Sequence, residues 1–212
     1  MDNLIIRKER ESDYREVEEA TREAFWNLYV PGCDEHYLVR KMRRSPYFIP
    51  ELVFVAEWDG RIVGSIFFTK SYVADKQGRE YETITFGPVS VLPELHGGGI
   101  GSQLIEYAIR EAVKLGYRAI LIYGYYAYYQ RFGFRHAKDF GISNPDGQYP
   151  YAHLALELCE GALDGVEGKA YEHLESLLDE EGMKEYEATF PSKEKKVTPS
   201  QKIFEETSQT FL

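Results

Sequence analysis

The stretch that most constrains this chain is GPVSVLPELHGGGIGSQLIEYAI, residues 87 to 109. A β-rich segment ends at Leu92-Pro93, and four glycines (Gly97, Gly98, Gly99, Gly101) follow. Ile100, Leu104, Ile105, Ala108, Ile109, Ala112 and Leu115 then recur at helical spacing until Gly116. A strand, a glycine turn and a helix in succession make backbone N–H groups converge, and the helix end adds roughly half a positive charge. Two readings stay open for the loop alone: a grip on a diphosphate, or a plain tight turn. A nucleotide-triphosphate loop would need Gly-Lys-Ser/Thr, and no lysine follows these glycines. A dinucleotide fingerprint would need its third glycine where Ser102 or Leu104 stands.

The segments around this feature set the fold class. Leu4-Ile5-Ile6 reads as a first strand. A helix begins after Ser12-Asp13 and runs to Leu28, closed by Pro31-Gly32, and a second follows over 34–44. Residues 52–56, 62–73 and 81–91 then read as three antiparallel strands, joined by turns at Asp59-Gly60 and Lys76-Gln77-Gly78. Beyond the 100–115 helix come a buried strand at 119–123, a short helix at 126–132 ended by Gly133, and strands at 134–137 and 152–158. This order gives an α/β (α+β) fold: a mixed, mainly antiparallel sheet with helices on both faces.

The length of 212 residues suits one domain with an appendage. After Gly161 the character shifts, with 11 Asp/Glu against 6 Lys/Arg over 167–212. The expected division is a domain over 1–160 and an acidic, partly helical extension over 161–212. In that extension Tyr171, Leu174, Leu177 and Leu178 predict a helix ended by Gly182. The extension could pack on the domain, join a homodimer or stay partly mobile.

A formal charge of −10 argues against nucleic acid as the main partner. No apolar run reaches the roughly 18 residues a membrane span needs, and the first residues turn polar too early for a secretory leader. Two cysteines, Cys33 and Cys159, suit a reducing cytoplasm and exclude a disulfide scaffold. Cys33-x-x-His36 has metal-ligand spacing without a second pair, so no metal is expected.

The 87–109 stretch resembles the acyl-CoA-binding motif of the GNAT superfamily of N-acetyltransferases, Gln/Arg-x-x-Gly-x-Gly/Ala, aligned on His96, Gly99 and Gly101. Downstream, AYYQRFGFRHA resembles the family's Tyr-x-x-x-Gly-Phe signature, in a Tyr-Tyr-x-Arg-Phe-Gly-Phe form close to one bacterial branch. The resemblance implies a V-shaped splay between the strands at 81–91 and 119–123, the fourth and fifth of the fold. It also implies acetyl-CoA as acyl donor, with the backbone of Val89, Ser90 and Val91 along the pantetheine arm. His96, Gly97, Gly98, Gly99, Ile100, Gly101 and Ser102 would hold the pyrophosphate. His96 replaces the usual Gln or Arg and supplies less charge.

By the same resemblance Tyr129, four residues before Gly133, is the general acid, with Tyr128 as understudy. The Val91 N–H is the donor to the thioester oxygen. The slots where the family often carries a glutamate base hold Thr85 and Tyr123. Glu82 has the wrong strand parity, so the base is left unassigned, with a water relay as default. Trp26, Tyr29, Glu35, Tyr125 and Tyr126 are candidate walls for the acceptor, the primary amine of a small molecule or peptide. An aromatic and acidic pocket favours a cationic amine. The alternative is a catalytically weak acyl-CoA-binding sensor or interaction module.

Overall fold

The computed structural model describes residues 3–212. Its strands are β1 (Leu4–Lys8), β2 (Phe54–Trp58), β3 (Arg61–Ala74), β4 (Glu80–Val91), β5 (Ala119–Tyr123), β6 (Arg135–His136), β7 (Ile142–Ser143), β8 (His153–Glu157) and β9 (Gly168–Tyr171). Its helices are α1 (Tyr14–Phe25), α2 (Glu35–Met42), α3 (Ile100–Lys114), α4 (Tyr126–Tyr129), α5 (Glu180–Glu187) and α6 (Pro199–Ser208). The strands join one mixed, mainly antiparallel sheet in the order β1-β2-β3-β4-β5-β8-β6, with β9 pairing both β3 and β7.

The hairpin between β2 and β3 turns at Asp59 (φ 50°) and Gly60 (φ 81°), the positive-φ pair that a two-residue turn requires. Along one edge, β3 is paired by β4 from Gly64↔Val91 to Ala74↔Glu80. The other edge is shared by three segments: β2, a bridge from Phe48 to Thr69, and β9 at Tyr72↔Tyr171.

The pairing of β4 with β5 is parallel and rests on Ile84↔Ile120. Past that point the two strands part, which is the V-shaped splay. A bulge sits just beyond, because two steps on β3 (Ile66 to Phe68) match three on β4 (Val89 to Phe86). The extra residue flips the strand's parity. Before it Ile84 and Phe86 face the α3 side, and after it Val89 and Val91 do. Register is regular from Glu82 to Thr85, so these two face opposite sides.

Helix α3 buries Ile100, Leu104, Ile105, Ala108 and Ala112 against Phe54, Ile66, Phe68 and Ile120. Each large side chain buried there contributes about 1.5–3 kcal/mol. The opposite face is covered by α1 and α2, through Val17, Val39 and Met42 on Val53, Val55, Ile62 and Phe67.

Three elements differ from the sequence expectation. The helix expected over 171–178 is instead β9 followed by a 3-10 turn at 175–177. The far half of β3 needs an edge partner, and that pairing outweighs the helical spacing of Tyr171 and the leucines. Gly182 does not end a helix but lies in the first turn of α5, its N–H donating to Asp179 Oδ1 at 2.7 Å. Helix α1 stops at Phe25, not Leu28, because Asn27 turns to φ 61°, a conformation Asn tolerates better than most residues.

Past Gly161, residues 168–171 join the sheet as β9, and the residues that follow pack back on α1 and the loop before β8. Tyr186 donates to Glu18, and Arg22 pairs with Glu187 at 2.5 Å. Thr198 and Ser200 hydroxyls donate to the carbonyls of Asn27 and Leu28, both at 2.8 Å. Beyond α6, Phe211 bridges to Pro150. The last two helices are thereby strapped from the end of α1 to the loop before β8.

Candidate active site

The open edge of β4 forms one wall. The Leu92 N–H donates to Val63 C=O on β3 at 2.9 Å. Since N–H groups alternate sides along a strand, the Val91 N–H points away from β3, into the splay. The Val91 C=O points the same way, and it accepts a hydrogen bond from His96 Nε2 at 2.9 Å. A carbonyl can only accept, so His96 carries its proton on Nε2.

At the mouth of the splay, Gly97 (φ 81°) and Gly99 (φ 79°) take the left-handed conformation that favours glycine. A Cβ on either would meet no atom within 4 Å, so the space before the turn is open to a bulky group. Gly99 is the N-cap of α3, and no side chain caps the helix. The first helical bond runs from Gln103 N–H to Gly99 C=O at 3.0 Å. The amides of Ile100, Gly101 and Ser102 come before it and face outward as a helix start dictates. Ser102 Oγ lies 3.3 Å from the Tyr128 hydroxyl. Together the free β4 edge and this cradle fit a pantetheine diphosphate.

Tyr129 sits in the wedge where β4 and β5 part. Its ring packs 5.9 Å from Phe86 and 5.7 Å from Phe134, centroid to centroid, with Tyr128 edge-on at 5.1 Å. Gly124, one residue past β5, leaves room for it: a Cβ there would stand 2.6 Å from Tyr129 Cδ2. Burial pushes the Tyr129 phenol well above its ordinary range, and the phenols of Tyr128 and Tyr29 add to the shift. It stays protonated at any physiological pH.

Behind the wedge opens a cavity of about 1080 Å³, lined by Tyr29, Glu35, Ser71, Thr85, Tyr123, Tyr125 and His153, among others. Its outer wall comes from α6 and the terminus, through Ile203, Phe204, Thr207 and Phe211. The Phe204 ring lies 4.5 Å from that of Tyr29. Three carboxyl side chains line the cavity (Glu35, Asp146, Glu172) and, among the described residues, no Lys or Arg does. Burial and the neighbouring Asp34 push the Glu35 carboxyl up to about 7. Burial pushes the His153 imidazole down to about 4, so it is neutral there, stacked 4.7 Å from Tyr123.

Of the sequence-derived wall residues, Tyr29, Glu35 and Tyr125 meet in this cavity. Trp26 does not line it: its Nε1 donates to Glu194 C=O at 2.9 Å and Arg22 stacks on its ring. Tyr126 is stacked on His136 at 4.2 Å, also off the lining. The α6 wall and Gly124 went unseen in the sequence, and His153, which reads there as a structural histidine without a partner, lines the cavity stacked on Tyr123. Only Gly124 carried a signal, a glycine directly after a strand and five residues before the tyrosine it accommodates. Cys33 and His36 do meet, Sγ to Nδ1 at 3.5 Å, but no three metal-ligating side chains gather among the described residues.

Residues 14–134 match the profile of the Acetyltransferase (GNAT) family. The chain belongs to the GNAT acetyltransferases. It is similar to the uncharacterized N-acetyltransferase YjhQ of Escherichia coli K12, 31% identical over 130 residues, 61% of this chain and 67% of that one. The uncharacterized N-acetyltransferase YhbS of the same strain is 25% identical over 80% of this chain and 96% of its own. Among solved structures, E. coli YhbS in complex with CoA superposes with a TM-score of 0.70, covering 82% of this GNAT and 92% of that chain. A Brucella melitensis GNAT acetyltransferase in complex with acetyl-CoA gives 0.65 at 28% identity, over 82% and 99%. This GNAT is an acyltransferase by family, on the mixed fold its neighbours share. Among the described residues no helix is long and apolar enough to cross a membrane.

Proposed function

We propose that this GNAT moves an acetyl group from acetyl-CoA to a primary amine of a small molecule or peptide by direct attack. The observation that carries the reading is the convergence of three features on one splay: the free edge of β4, the uncapped glycine turn and the Tyr129 ring. Bound there, acetyl-CoA supplies an activated acyl carbon.

The chain's own groups divide the work. Backbone of Val89 to Val91 orients the pantetheine arm as an added strand would. The His96 bond removes the Val91 carbonyl from that pairing and leaves its N–H for the thioester oxygen, a donor fixed in advance of the reaction. His96 itself thus acts on the strand, and the amides of Gly97, Gly99, Ile100, Gly101 and Ser102 meet the diphosphate, the Gly98 N–H being spent on Leu95 C=O at 3.2 Å. Tyr129 is a weaker acid than a thiol at its raised pKa. It therefore stabilises the departing sulfur as a hydrogen-bond donor and relays a proton, without surrendering its own for long.

The acceptor cavity favours a cationic amine, because carboxyls and aromatic rings line it without a compensating Lys or Arg. Thiol release from acetyl-CoA, measured across polyamines, aminoglycosides and amino acids, tests this. Turnover of cationic amines supports it, and turnover of only neutral or anionic acceptors refutes the acceptor class. The sensor reading has one observation in its favour: neither Thr85 nor Tyr123 offers a carboxylate on the flanking strands. Acetyl-CoA heats in calorimetry with no thiol release across the panel would decide for it.

A further inference from the structure

The acetyl-transfer reading leaves one task without a residue: something must take a proton from the acceptor ammonium before its nitrogen can attack. The slots on β4 and β5 hold Thr85 and Tyr123, and Glu82 is exposed on the opposite face of β4 from Thr85. The cavity nevertheless contains a carboxylate that arrives from another element. Glu35 opens α2, and the end of α1 delivers it there: Asn27 reverses the chain, and its side-chain carbonyl accepts from Gly32 N–H at 2.8 Å. Glu35 lines the same cavity as Thr85 and Tyr29.

Resting on that acetyl-transfer reading, we propose that Glu35 is the general base, a catalytic residue supplied by the start of α2 in place of a strand glutamate. Two features of its surroundings argue for it. It lines one cavity with Tyr29 and with Gly124, and Gly124 is the residue against which the Tyr129 ring packs, so the cavity reaches from Glu35 to the wedge. And the titratable groups that line the cavity with it carry no positive charge: Tyr29, Asp146, Glu172 and the neutral His153, while Arg22 and Lys195, which lie by Cys33 and Gly32, are not in the lining. The lining side chains of α6 are uncharged. Among the described residues no Lys or Arg is ion-paired to the carboxylate, whose Oε2 accepts the Asp34 N–H at 3.2 Å. Burial first, and then the Asp34 charge, push the Glu35 carboxyl up to about 7, close to the pH at which a base transfers protons best.

The step balances. The ammonium gives one proton to the Glu35 carboxylate, which later releases it to water. The freed lone pair forms the C–N bond while the C–S bond breaks, its electrons leaving on sulfur. The second proton shed by nitrogen reaches that sulfur across the Tyr129 hydroxyl. An acetamide, CoA and one proton in solution are the products.

The test compares wild type with Glu35→Gln and Glu35→Asp, using acetyl-CoA with spermidine and with tyramine across pH 5.5–9. Acetyl-CoA affinity is followed by calorimetry in parallel. The expected result is a fall in kcat for Glu35→Gln of about 10²- to 10⁴-fold, partial recovery in Glu35→Asp and unchanged acetyl-CoA affinity. In wild type, log kcat/KM steepens below about pH 7, and this break vanishes in Glu35→Gln. A Glu35→Gln enzyme within about fivefold of wild type, with the break intact, overturns the assignment. A wild type that binds acetyl-CoA yet turns over neither amine overturns the acetyl-transfer reading first, and the assignment only with it. A wild type that binds no acetyl-CoA fails the acyltransferase reading instead.

Discussion

Gly124→Ala is the sharpest perturbation of the wedge, because it reaches Tyr129 without touching it chemically. The added Cβ would stand 2.6 Å from Tyr129 Cδ2 and closer still to Cε2, against about 3.5–4.0 Å for carbon atoms in contact. The ring must therefore shift by roughly 1 Å. It cannot swing freely, since Phe86 and Phe134 pack on it and Tyr128 stands edge-on. Overpacking of this kind costs about 1–3 kcal/mol of stability, which leaves a domain of this size folded. A displacement of about 1 Å at a reacting group costs on the order of 10²-fold in rate. Thiol release at saturating acetyl-CoA should accordingly fall about a hundredfold in Gly124→Ala, with acetyl-CoA affinity little changed. The double variant with Tyr129→Phe should be no slower than Tyr129→Phe alone, because both changes act through one hydroxyl. Wild-type kcat in Gly124→Ala, or losses that multiply in the double variant, would refute the placement of Tyr129 at the leaving sulfur.

Arg43 is ion-paired to Glu9 and Glu18, each at 2.6 Å, with all three side chains about nineteen-twentieths buried. Arg43→Ala leaves two buried carboxylates without their cation, a loss of about 3–5 kcal/mol, read in thermal melts as a Tm drop of roughly 10 °C. Gly99→Val should weaken acetyl-CoA binding by calorimetry, since φ 79° is costly for a β-branched residue and its methyls would enter the open space before the turn. Unchanged binding would remove the turn from the site. The raised carboxyl of Glu35 has a sign that melts can check. Folded Glu35 holds its proton up to about pH 7, whereas an unfolded glutamate loses it near 4.5. Wild type therefore loses stability between these values as pH rises. Glu35→Gln should melt higher than wild type at pH 8 and lose that advantage by pH 4.5; an advantage independent of pH would contradict the burial of its charge.

Much of this protein is written locally. The glycine turn follows from residues adjacent in the chain, because positive φ at Gly97 and Gly99 and an uncapped helix start need no distant partner. The register of Tyr129 is equally local, four residues before the φ 92° turn at Gly133. The three-stranded meander was legible for the same reason, alternation and turn chemistry being short-range signals. What the chain could not disclose was everything that depends on meetings across it. Helical spacing at 171–178 lost to the unpaired edge of β3. Trp26, a candidate wall from the first helix, was captured by the carbonyl of Glu194, 168 residues away. Glu35 became a cavity carboxylate only because Asn27 reversed the chain and α6 closed the outer wall. Backbone conformation is decided by neighbours a few bonds away, whereas burial, charge environment and proximity belong to the packed structure alone.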